Sequence, residues 1–184
     1  PLNNWNTESV TAWYGLFNNA TSFDQDLSSW SLKSCVPINE GGGNDGKTLD
    51  DMFNAVTLST TNYSNLLIAW QGDSNTPSGI TFHGGDSQYF PSTAATWNSL
   101  TDVNNQNWNI TDGGQSDLLF ANESEMTTAV GLWFSDTPSA ISQYGQIGDW
   151  NVGNMTDMSA LFYNETTFND DISNWDVSNV VDMS

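Results

Sequence analysis

Apolar residues recur along this chain with a period of 25. Trp5 and Trp30 are 25 residues apart, and so are Trp150 and Trp175. The segments that follow align without a gap. Trp5-Asn6-Thr7-Glu8-Ser9-Val10 matches Trp150-Asn151-Val152-Gly153-Asn154-Met155, and then Trp175-Asp176-Val177-Ser178-Asn179-Val180. Phe17 and Phe162 follow next, then Phe23 and Phe168, and Leu27 and Ile172 precede the next Trp. Such ladders suit a stack in which each unit buries its apolar face only against its neighbours. Within a unit, Ile172 to Val177 alternates with period two, which predicts a half-buried strand. Val180 and Met183, with Met158, Leu161 and Phe162 one unit earlier, recur at helical spacing, and Ser178 or Asn179 is placed to cap that turn. The pattern predicts an α/β repeat solenoid, leucine-rich-repeat-like, with a short strand plus a short helix per 25-residue rung.

A further rung starts at Trp30, with Leu32 at the Val152/Val177 position and Cys35 at the Val10/Met155/Val180 position. It resumes at Leu49, Met52 and Phe53 after a Gly-rich insertion, residues 36–46. Cys35 therefore reads as a buried small hydrophobe. The period breaks from 60 to 115. There the pattern predicts a helix from Asn62 to Trp70, a strand Ile80–His83 stopped by Gly84-Gly85, a helix Pro91–Leu100 and a strand Trp108–Thr111 stopped by Gly113-Gly114. A helix starting near Ser124 follows, with Met126, Val130, Leu132 and Trp133 on it. The predicted organisation is 1–59, the end of a repeat solenoid; 60–115, a closing cap; 116–149, an opening cap; and 150–184, the start of the next solenoid. These α/β caps lie between the two solenoid pieces. Pro1 and Ser184 both fall inside a rung, so the expectation is one period of a longer chain.

Charge narrows the partners. The chain has 22 acidic residues against two Lys and no Arg, a net charge of −20. Nucleic acid and anionic lipid are excluded as charge-driven partners. Cations or a cationic partner are the electrostatically sensible ligands. Twenty-three aromatic residues exclude a solvated, disordered tail. No apolar run is long enough to span a membrane. One cysteine allows no internal disulfide.

Asn174-Trp-Asp-Val-Ser-Asn-Val-Val-Asp-Met-Ser184, with Ala160-Leu-Phe162 and Thr167-Phe-Asn-Asp-Asp-Ile-Ser-Asn-Trp175, resembles the repeats of BspA-like surface proteins. Residues 1–35 carry an eroded version, with Trp13-Tyr14 in place of Met-Ser. Tyr63–Trp70, Gly79–Phe82, Gly84–Tyr89 and Trp108–Gln115 resemble the closing segment of such arrays, and Ala129–Asp136 with Tyr144-Gly145 their opening segment. The resemblance implies a secreted or surface-displayed solenoid with an adhesive or structural role. It brings no catalytic residues.

Several residues are candidates for chemistry. Asp157 and Asp182 share one repeat position; Asn6, Asn151 and Asp176 share another; Asp26 and Asp171 share a third. Stacked carboxylates about 4.8 Å apart repel unless something intervenes. Ca²⁺ bridging is one answer, since hard oxygen ligands suit it. Capping of backbone N–H groups is the other. The insertion offers Asn39, Glu40, Asn44 and Asp45 as a Ca²⁺ loop, without the spacing of an EF-hand, or else as a plain flexible loop. Six Asn-x-Ser/Thr sites occur, at Asn19, Asn62, Asn109, Asn122, Asn154 and Asn164, close to what chance gives in a chain this rich in Asn, Ser and Thr. Asn19, Asn122 and Asn164 lie in turn contexts and are the candidate glycosylation sites. His83 near Asp86 and Ser87 lacks the ordered partners a triad needs. The paired Gly motifs are not followed by the Lys-Ser/Thr of a phosphate loop.

The expected function is that of a non-enzymatic extracellular structural repeat protein at the cell surface, one unit of a longer chain or of a filament that self-associates head to tail. The alternative is an adhesin that binds a cationic partner, a cell-surface protein or a glycan on the concave face. A glycan-active enzyme would need a cleft with paired carboxylates, for which Asp170-Asp171 in a repeat turn is the sole candidate.

Overall fold

A computed structural model describes residues 2–35, 49–117, 120 and 122–184. The chain divides into two compact units, Pro1–Ser116 and Asp117–Ser184. Among the described residues are four α-helices: α1 (Thr60–Gly72), α2 (Ala94–Thr101), α3 (Glu123–Ser135) and α4 (Thr137–Tyr144). Strands β1 (Thr81–His83) and β2 (Asn109–Thr111) form a two-stranded parallel sheet, with Phe82 opposite Ile110.

In the first unit, consecutive repeats lie against each other in register. The Trp5 and Trp30 rings stack at 6.0 Å, 9° from parallel. The Trp30 indole N–H donates to the Leu2 carbonyl at 2.9 Å. Thr7 and Ser31 exchange hydrogen bonds through the Thr7 hydroxyl. Phe17 stacks on Phe53, its equivalent in the next repeat, at 5.5 Å and 7°. β1 adds the next layer, bridging Leu49 in parallel, and β2 follows it.

The expected short helix of each repeat is absent; its residues form consecutive turns at 14–19, 50–55 and 159–164. The reason lies in the backbone. Gly15, Asp51 and Ala160 occupy equivalent positions, and all have φ between 53° and 59°. Asn19, Ala55 and Asn164, also equivalent, have φ of 63°, 59° and 66°. A left-handed residue every fourth position interrupts an α-helix. It also turns alternate N–H groups toward the next repeat. Gly15, Phe17 and Asn19 donate to the carbonyls of Asp50, Met52 and Asn54 at 2.9–3.0 Å. A helix would have bound those groups internally, four residues back.

Helix α1 packs alongside the first unit's stack. Ser59 caps it, accepting from the Asn62 N–H, and Tyr63, Leu66, Leu67 and Trp70 form its buried stripe. That stripe packs on Phe82, with Trp70 edge-on to it at 5.3 Å, and the Trp70 indole donates to the Trp30 carbonyl at 3.0 Å. Beyond it, the expected Pro91–Leu100 helix is a 3₁₀ turn, Pro91–Thr93, running into α2. One face of β1 is fully covered, through Ile80 and Phe82, while Thr81 and His83 on the other are half-buried.

The second unit has its own core. Asn122 caps α3 by accepting from the Glu125 N–H at 3.0 Å, and Met126, Ala129, Val130 and Trp133 face inward. Helix α4 follows at once. Asp136 caps it and Pro138 lies in its first turn, a start signal that the sequence analysis did not read. The helices cover Trp150, which is stacked on Trp175 at 6.3 Å and 13°. The Trp175 indole donates to the Ile147 carbonyl at 2.7 Å, repeating the Trp30–Leu2 bond of the first unit.

Candidate interaction site

The acidic residues of the repeats act first on their own backbone. Asp157 Oδ1 accepts the Ser159 N–H at 2.8 Å, and Asp182 Oδ1 accepts the Ser184 N–H at 2.9 Å. Asp26, Asp171 and Asp176 do the same to the N–H two residues on. So do Asn6 and Asn151. Asn and Asp interchange at these positions because turn closure needs only the Oδ1 acceptor they share. Asp157 and Asp182 also face each other across a parallel bridge. Among the described residues, no group of three or more His, Cys, Asp or Glu side chains is placed to hold a metal ion. The loop candidates Asn39, Glu40, Asn44 and Asp45 lie outside the described residues.

These turns set the charge state. Asp157 and Asp176 titrate below the usual carboxylate range, first through the Ser159 and Ser178 side chains and then through their N–H groups. Asp171 is held low mainly by the Ser173 N–H. Glu123 is lowered by its own N–H and by Thr156. Burial raises the Cys35 thiol to about 11, so it is protonated at neutral pH and a poor nucleophile.

Asn19 and Asn164 sit exposed at equivalent left-handed turns. Asn122 is exposed at the α3 cap, its Oδ1 engaged and its Nδ2 on the free side of the amide. His83 Nδ1 accepts from the Gly85 N–H, and the buried Ser87 hydroxyl accepts from the Leu58 N–H, so both are committed to holding turns. In the same region Asp112 takes the Tyr63 hydroxyl at 2.6 Å and the Trp97 indole at 2.9 Å. Burial foremost, and then the Asp112 charge, keep the Tyr63 phenol well above its ordinary value.

An apolar groove of about 440 Å³ lies in the second unit, against Met183 and Ser184. Leu161, Phe162, Ile172, Trp175, Val177 and Met183 line it. Phe162 and Phe168 stack at 4.3 Å beside it. Tyr163 and Met183 at its rim are 81% and 60% exposed, far more than the same residue types elsewhere in this unit. Sequence reasoning placed these residues in a core and did not single them out as a site. The first unit carries a second open apolar residue. Trp5 is 60% exposed, and its indole N–H has no acceptor among the described residues, while the other eight Trp indoles each donate a hydrogen bond.

The same residues that build the stacked repeats place the protein among known sequences. The pattern described as Mycoplasma protein of unknown function, DUF285, matches residues 1–41 and 133–184, just over half of the chain. The chain belongs to the DUF285 family. The two matched stretches hold the Trp5 and Trp30 repeats and the Trp150 and Trp175 repeats, while the DUF285 match leaves out residues 42–132, where α1, α2 and the sheet lie. No curated protein and no solved structure matches this chain.

Proposed function

We propose that this DUF285 protein is a non-enzymatic extracellular structural protein of the BspA-like surface kind, whose repeats are the rungs of a solenoid. The observation that carries this reading is the recurrence of one contact set in both units. Equivalent Trp rings stack, and each indole N–H of the later repeat bonds a carbonyl of the earlier one. A residue set used this way serves to propagate a stack, since each repeat presents to the next what it received from the last. Asp157, Asp171, Asp176 and Asp182 are each engaged in closing a turn, which favours a structural role over glycoside hydrolysis. Assembly is head to tail, the arrangement that an open, non-closing contact produces. The candidate glycosylation sites Asn19, Asn122 and Asn164 are exposed, as an extracellular surface requires.

Negative-stain electron microscopy of the purified chain, with sedimentation velocity over a concentration series, tests this. End-to-end assemblies that lengthen with concentration are expected. Discrete particles at all concentrations, with saturable binding to a glycan or a cell-surface protein, would replace the structural reading with the adhesin one.

A further inference from the structure

We draw no further inference here: the strongest candidate, the outer edge of β2 (Asn109–Thr111), which among the described residues is the last strand of the first unit's parallel sheet, carries nothing, since nothing in the structure shows what covers it.

Discussion

At the scale of single residues, the left-handed positions decide the local form. Ala55 is exposed at φ 59°, so it bears the strain of that region without a packing role. Ala55→Gly removes a cost of about 1–2 kcal/mol and adds about 0.5–1 kcal/mol of lost chain entropy. The net expectation is stabilisation of about 0.5 kcal/mol or more, read from the urea midpoint. Gly85 predicts the opposite. It has φ 68°, and a Cβ there would collide with the carbonyl oxygens of Val56 and Phe53. Gly85→Ala should destabilise the first unit by at least about 2 kcal/mol, since backbone must move to relieve it. The turn-closing acids predict a pH dependence. Asp157, Asp171 and Asp176 titrate lower folded than unfolded. Their contribution is therefore complete above the ordinary carboxylate value of about 4 and is lost as pH falls through the folded values. The triple variant with Asn at these positions keeps the Oδ1 acceptor and loses the titration. The unfolding free energy of the wild type minus that of the variant should rise from about pH 3 to about pH 5 and be flat above. A difference independent of pH would show that these carboxylates are no better solvated folded than unfolded.

At the scale of elements, α1 ties the layers of the first unit together. Trp70 is buried, bonded to Trp30 and in contact with Phe82 and Trp108. Trp70→Ala should cost about 3–5 kcal/mol, and thermal unfolding followed by near-ultraviolet circular dichroism reads it. Most regular elements were legible in the sequence because each carries a local signal. Leu66, Leu67 and Trp70 set the stripe of α1, and Gly84-Gly85 stops β1. The repeat turns were misread as helix because Met158, Leu161 and Phe162 have helical spacing, while the left-handed φ of Ala160 leaves no trace in its residue type. Helix α4 was hidden by its weak apolar content, although Asp136 and Pro138 mark its start. The groove was invisible for a different reason. Its lining uses the same residue types as a core, and what sets the adjoining turn apart from a helix is the bonding of Met158 to Asp182 and of Ala160 to Ser184. Those bonds depend on residues 24 and more positions away, beyond any local pattern.

At the scale of the whole molecule, charge opposes compactness. A chain of net charge −20 repels itself, and among the described residues one ion pair, Lys33 with Glu8, is exposed and weak. Raising ionic strength from about 0.01 M to about 0.15 M shortens the screening length from about 30 Å to about 8 Å. The urea midpoint should rise with salt, and sodium chloride should act as well as a calcium salt at equal ionic strength if turn closure is all the acids do. A calcium effect at micromolar concentration would instead revive Asp157, Asp182 and the 39–45 loop as ligands. The central claim is that the repeats pair through alternate backbone N–H groups in a fixed register. Amide hydrogen exchange resolved by residue tests it most directly. The account predicts slow exchange at Gly15, Phe17, Asn19, Met158 and Ala160. Fast exchange at these five amides, whose acceptors lie in the following repeat, would contradict it.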